Sequence, residues 1–198
     1  MDGINITTNR HLPERCQMII RNVKKQDCPD ILSLNEKNVE MLLPMDFQQF
    51  MYFLERAEIF KVVEIDGKIV AFLIALRSKV DYNIQVYRWF LQKYPDFIYI
   101  DRVVIDEAHR RMGIARKLYE YVFDYSYRQG ITTIAAGAEV EPAYNKASIA
   151  FHNAMGFIEV GEQHVRSGTV NVSLLVKETA DSFPLRGKPL ASTLCPQF

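Results

Sequence analysis

Cysteine is scarce. Cys16, Cys28 and Cys195 are odd in number and far apart, which argues against a disulfide framework and for reduced thiols. The four histidines (His11, His109, His152, His164) lack metal-ligand spacing, so no metal is expected. An excess of charge is missing too. The 24 basic and 24 acidic side chains leave a formal net charge of zero, giving no reason to expect a nucleic-acid or membrane-surface partner. No apolar run approaches a membrane span, and the opening MDGINITTNRHLPERC holds no apolar signal-like core, so a cytoplasmic protein is expected. Internal repeats and low-complexity segments are absent as well. What is present is ordinary: 198 residues, 48% hydrophobic and 24% charged, suiting one domain with a sizeable core.

The pattern along the chain predicts a flexible leader at 1–16, a single domain at 17–178 and an irregular, proline-containing tail at 179–198. Met18 to Val23 reads as a short strand. Asp27 is the expected N-cap of a helix reaching about Val39, and Asp46 that of a second helix, Phe47 to Ala57. Asp66-Gly67 between Phe60–Ile65 and Lys68–Arg77 predicts a tight hairpin. An aromatic-rich insert, about Tyr82–Phe97, precedes a strand at Ile98–Asp106. Strands are also expected at Thr132–Val140, Phe157–Gly161 and Val170–Lys177. The alternation of these strands with helical segments predicts an α/β fold with a mixed sheet.

Two segments carry chemistry. His109 to Gly130 places Arg110-Arg111-Met112-Gly113-Ile114-Ala115 between a strand and an amphipathic helix whose apolar line is Ala115, Leu118, Val122 and Tyr125. A helix N-terminus offers backbone N–H groups, and with Arg110, Arg111 and Arg116 it makes an anion site suited to a pyrophosphate. Gly113 is expected to admit a ligand where a Cβ would collide. A left-handed turn beside a solvated basic face would give the same pattern. The second segment, Asn145 to Phe157, reads as a helix with a polar line (Asn145, Ser148, His152), an apolar line (Ala147, Phe151, Met155) and a terminating Gly156. Such a polar stripe needs partners, because a buried unpaired polar group costs about 1–3 kcal/mol.

Together the two segments resemble the GCN5-related N-acetyltransferase (GNAT) superfamily. Its phosphate loop, R/Q-x-x-G-x-G/A, is matched by Arg110 to Ala115. Its later helix, N-x-x-A-x-x-φ-Y-x-x-φ-G-F, is matched by Asn145, Ser148, Phe151, Met155, Gly156 and Phe157, with Ser148 for the usual Ala and His152 for the usual Tyr. The stretch from Tyr82 to Asp106 also resembles a subgroup with an aromatic insert before the fourth strand. The resemblance spans roughly 17–178 and implies a GNAT-like acyl-CoA N-acyltransferase fold, a central mixed, mostly antiparallel sheet flanked by helices. It also implies acetyl-CoA as cosubstrate, with no metal, and acetyl transfer to a primary amine by direct attack in a ternary complex.

On that resemblance Val103, Val104 and Ile105 offer backbone groups to the pantetheine arm, the amides from Arg111 to Arg116 hold the pyrophosphate, and Asn145 bonds the pantetheine near Ser148, Phe151 and His152. An amine of pKa about 10 is protonated at pH 7, a handicap of roughly 4 kcal/mol that a general base offsets in part. Glu139 is the first candidate. Asp101 is the second, because alternation along a strand puts it on one face with Val103, and Glu141 is the third. His152, cationic to roughly a quarter at pH 7 if unperturbed, is the candidate acid in the place of the family's Tyr, or else a neutral histidine satisfied by a backbone carbonyl. Tyr87, Trp89 and Tyr94 are the candidate acceptor-binding aromatics, with core packing the alternative for most of the insert. The acceptor, small amine or peptide, stays unidentified. A non-catalytic acyl-CoA sensor, a longer acyl donor, a plain anion-binding module and a homodimer stay open.

Overall fold

The computed structural model describes residues 18–38, 43–142 and 145–179. In chain order they form β1 (Met18–Asn22), α1 (Cys28–Glu36), α2 (Phe47–Arg56), β2 (Ile59–Ile65), β3 (Lys68–Arg77), α3 (Gln85–Lys93), β4 (Phe97–Ile105), α4 (Ile114–Arg128), β5 (Thr133–Glu141), α5 (Lys146–Ala154), β6 (Ile158–Val165) and β7 (Val170–Glu178). The strands make one seven-stranded sheet, ordered β1-β2-β3-β4-β5-β7-β6. Every neighbouring pair is antiparallel except β4 and β5.

Local chemistry accounts for several boundaries. Asp66 and Gly67 both take positive φ (49° and 77°), as a two-residue primed turn requires, so β2 and β3 pair at once. Asp46 caps α2 in a reciprocal box: its Oδ1 accepts from Gln49 N at 2.8 Å, and Gln49 Oε1 accepts from Asp46 N at 3.1 Å. Asp27 does sit at the start of α1, but its carboxylate does not cap the helix. It accepts from the Arg21 guanidinium at 2.7 Å and from Lys24 N at 2.7 Å instead. The expected run of α1 to Val39 stops at Glu36, and Val39 lies outside the described residues, as do the leader and all of the tail except Thr179.

The sheet has a core on each face. α1, α2 and α3 cover one with Ile31, Phe50, Phe53, Tyr87 and Phe90 over Phe72, Phe97 and Tyr99. α4 and α5 cover the other, where Leu118, Tyr119, Val122 and Phe157 lie over Ile98, Ile100 and Ile134. The insert before β4 is therefore a helix, α3, added to the first face.

The middle of the sheet is broken on purpose. β4 and β5 pair only from Phe97–Thr133 to Ile100–Ala136, and then part. At that point the β3–β4 register slips: Ile74 faces Arg102 while Ala75 faces Ile100, so Asp101 is an extra, bulged residue. This corrects the expectation that Asp101 and Val103 share a face. Val103 packs on the α4 side, whereas Asp101 turns to the α3 side and bonds Tyr82.

Candidate active site

Where β4 and β5 part, a cleft of about 690 Å³ opens, lined from both strands, from α4 and α5, and from the segment entering α3. The Asp106 N–H donates to Val70 O at 2.8 Å, so it points at β3. By strand alternation Val104 also turns its N–H to β3, while Val103 and Ile105 turn theirs into the split. Two of the three expected pantetheine residues thus present donors there.

At the C-terminal end of β4 the chain turns through Arg110–Gly113 into α4. Arg111 (φ 62°) and Gly113 (φ 77°) are both left-handed. A Cβ at Gly113 would meet nothing within 4 Å, so the space beside it is open to a ligand, and the left-handed conformation by itself already favours glycine. No side chain caps α4, which leaves the N–H groups of Ile114, Ala115 and Arg116 without an intrahelical acceptor. Arg110 and Arg116 are exposed beside them, as is Met112. Arg110 lines the cleft and donates to Asn38 Oδ1 at 3.0 Å.

α5 forms the opposite wall. Asn145 is its N-cap, accepting from Ser148 N at 3.0 Å. Phe151 and His152 line the cleft one turn on. His152 is 5% exposed, and burial pushes its pKa below the ordinary value. Its Nδ1 lies 2.8 Å from the Ser148 carbonyl, which can only accept, so the proton sits on Nδ1. Nε2 then accepts from the Tyr119 hydroxyl at 2.9 Å. Burial therefore favours the neutral ring satisfied by a backbone carbonyl, the second of the two readings, with both nitrogens engaged.

The far end of the cleft is acidic and paired. Glu139 Oε1 lies 3.2 Å from Arg166 Nη2. Arg166 belongs to the β6–β7 turn, and its N–H donates to Gln85 Oε1 at the start of α3 (3.3 Å). Asp101, with its side chain 6% exposed, accepts from Tyr82 OH at 2.6 Å and from Arg102 Nε at 2.8 Å. Arg102 continues to Asn35 Oδ1 at 2.9 Å. Glu141 is exposed and outside the cleft.

The expected acceptor aromatics are not at the cleft. Tyr87 is fully buried and donates to Arg77 O at 2.7 Å; burial pushes its pKa up to about 12. Trp89 packs edge-on to Phe90 and beside Gly161, and Tyr94, the residue after α3, packs on Phe90. Tyr82 to Val86 line the cleft in their place.

A split sheet, bare N–H groups along β4 and an uncapped helix N-terminus with flanking arginines make a cleft with an anion-binding end. Residues 25–157 match the Acetyltransferase (GNAT) family. The chain belongs to this family. No curated protein is significantly similar to it in sequence. Among solved structures it resembles Ard1 from Thermoplasma volcanium at 15% identity, covering 81% of this chain and 97% of that one, with a TM-score of 0.66. It also resembles yncA from Salmonella typhimurium, solved with its cofactor acetyl-CoA, at 20% identity, 90% and 99% coverage and a TM-score of 0.61. A third likeness is to Arabidopsis thaliana Naa50 in complex with the bisubstrate analogue CoA-Ac-MVNAL, at 14% identity, 81% and 97% coverage and a TM-score of 0.62. At these identities the likeness speaks for the GNAT fold, which the seven-stranded order matches.

Within this GNAT chain, sequence reasoning overlooked Tyr119, Arg102 and Arg166 as residues at the cleft, and saw Tyr99 only as one of many aromatics near the insert. Arg102 carried a signal: a charged pair, Asp101-Arg102, interrupts an otherwise apolar strand, and such a pair must be satisfied internally. Tyr119 carried none, because its partner His152 is 33 residues away in the chain.

Proposed function

We propose that the protein is an acetyl-CoA-dependent N-acetyltransferase that acetylates a primary amine, the free N-terminus of a peptide, by direct attack in a ternary complex. The observation that carries this reading is the parting of β4 and β5 beside the uncapped start of α4. The residues there fit acetyl-CoA: the amides of Ile114 to Arg116 with Arg110 and Arg116 would hold its pyrophosphate, and the Val103 and Ile105 N–H groups its arm. Bound there, acetyl-CoA supplies an activated acetyl group. A peptide acceptor is supported by the likeness to Naa50 with its CoA-Ac-MVNAL analogue and to the Escherichia coli ribosomal-protein-S18-alanine N-acetyltransferase.

The chain's own groups divide the work. A strand N–H aimed into the split polarises the reacting carbonyl and stabilises the developing oxyanion. Glu139 is the general base, acting directly or through water, because among the described residues only one of its oxygens is engaged, by Arg166. Asp101 is the poorer choice: each oxygen already accepts a hydrogen bond, from Tyr82 or Arg102. His152 orients Tyr119 rather than acting as a cationic donor.

Calorimetric titration with acetyl-CoA, followed by mass spectrometry of an equimolar library of synthetic peptides with free N-termini, tests the reading. Micromolar binding and acetylated α-amines are expected. Binding with no transfer to peptides or simple amines would favour an acyl-CoA sensor, and no binding would end the acetyl-CoA reading.

A further inference from the structure

Tyr99 stands at the apex of the split, on the last stretch of β4 that still pairs with β5. It is 6% exposed and lines the cleft. Its ring is fixed edge-on against Tyr87 (centroids 5.7 Å apart) and tilted on Phe90 (5.9 Å). The hydroxyl reaches the glycine on the facing strand, since a Cβ at Gly137 would lie 3.7 Å from it. Any side chain at 137 would also press on Val172 (3.0 Å) and Val86 (3.2 Å), so only glycine fits at this point of the apex.

Among the described residues, the hydroxyls of the other tyrosines lining the cleft, and of Tyr87 behind it, are engaged. Tyr82 donates to Asp101, Tyr87 to the Arg77 carbonyl and Tyr119 to His152. Both oxygens of Asp101 are taken by Tyr82 and Arg102. Among the described residues the Tyr99 hydroxyl has no hydrogen-bond partner, although the residue is more than nine-tenths buried. Its oxygen is not sealed in the core but faces the cleft, where a ligand atom at the apex is its natural partner. The direction of the cleft names that atom. An acyl-CoA held by its pyrophosphate at Arg110–Arg116 and running back along Ile105 and Val103 brings its thioester to the apex.

We infer that the Tyr99 hydroxyl is a proton relay for acetyl transfer, hydrogen-bonded to the sulfur of the acyl donor. The inference rests on the acetyltransferase reading above. The amine nitrogen forms its bond to the acetyl carbon, and the C–S bond breaks with its electron pair left on sulfur. Tyr99 gives its proton to that sulfur and takes one from the acylated nitrogen. It ends as it began, a neutral phenol, and no tyrosinate accumulates. Burial and the nearby Asp101 both push its pKa up, consistent with such a concerted exchange. His152 cannot serve in its place while its Nε2 accepts from Tyr119.

Two measurements test the relay. With 13Cζ-labelled tyrosine, the Tyr99 resonance, assigned by its loss in Tyr99→Phe, should move when CoA is added to the wild-type protein and stay in place with desulfo-CoA, which lacks the sulfur. Equal responses to the two ligands, or none, would overturn the contact. Tyr99→Phe keeps the ring and should bind acetyl-CoA within twofold of wild type, while kcat on the peptide library falls on the order of a hundredfold. An unchanged kcat overturns the relay and leaves the acetyltransferase reading standing. A wild-type protein that acetylates nothing overturns both.

Discussion

Removing the Asp101 carboxylate should damage the fold more than a surface carboxylate would. Its side chain is 6% exposed and that of Arg102 5%. Asp101→Ala leaves the Arg102 guanidinium with only neutral acceptors, Asn35 Oδ1 at 2.9 Å and the Leu43 carbonyl at 3.2 Å, over the Phe53 ring at 5.3 Å. It also strips the Tyr82 hydroxyl of its acceptor. Breaking a buried pair from one side costs about 3–5 kcal/mol. A domain of this size loses about 2–4 °C per kcal/mol, so a fall in Tm of roughly 6–20 °C is expected. Asp101→Asn keeps an oxygen for Tyr82 but sets an amide against Arg102, and should cost less, about 1–3 kcal/mol. The double variant Asp101→Ala, Arg102→Met removes the orphaned charge and should recover much of the loss. Scanning calorimetry at pH 7 without acetyl-CoA reads all three, since a bound ligand would raise Tm by mass action. A fall below about 3 °C for Asp101→Ala, or a double variant no better than the single, would refute the reasoning.

Three further outcomes follow from the same geometry. Gly113→Asp puts a carboxylate and a left-handed non-glycine at the start of α4, where φ is 77°; acetyl-CoA affinity by calorimetry should fall at least about tenfold, with a smaller loss for Gly113→Ala. Burial holds the His152 pKa below its ordinary 6.5, so the folded state binds that proton less readily than the unfolded one. Its contribution to stability is whole above pH 6.5 and drains away as the pH falls towards the folded value, so Tm should drop between pH 7 and 5, and less steeply in His152→Gln. Gly137→Ala forces a methyl to 3.0 Å from Val172 Cγ1 and 3.2 Å from Val86 Cγ1, which should cost about 1–3 kcal/mol in a urea melt. An unchanged midpoint would mean that the apex has slack.

What could be read from the chain is what short-range chemistry decides. Asp66-Gly67 allows little but a tight hairpin, and Asp46 with Gln49 closes its own capping box three residues on. The Arg110–Ala115 loop and the Asn145–Phe157 helix were legible for the same reason. The bulge at Asp101 was not, because a slip in register exists only between two strands, here β3 and β4. Aromatic density from Tyr82 to Tyr99 cannot separate pocket from core either. Tyr87 is drawn inward by the Arg77 carbonyl, which no local pattern announces. His152 lines the cleft, and its hydrogen bonds go to a helix carbonyl and to a tyrosine that the sequence does not set beside it.

The bulge and the split are best understood together. Parallel strands continue to pair while their register holds; after Ile100–Ala136 the extra residue turns Asp101 towards the α3 side and sends Val103 and Ile105 N–H groups into space that β5 no longer fills. A strand twisted out of its ladder would be a liability if its charged residues faced solvent-poor space alone. Here Asp101 and Arg102 neutralise one another, and Arg102 is held by Asn35 near the end of α1. The same end of α1 supplies Asn38, which accepts from Arg110 at the head of the phosphate loop. One helix end therefore braces both the strand distortion that opens the cleft and the loop that would hold the pyrophosphate. A substitution at Asn35 should thus disturb cofactor affinity as well as stability, whereas Asn38→Ala should reach the loop and leave the bulge intact.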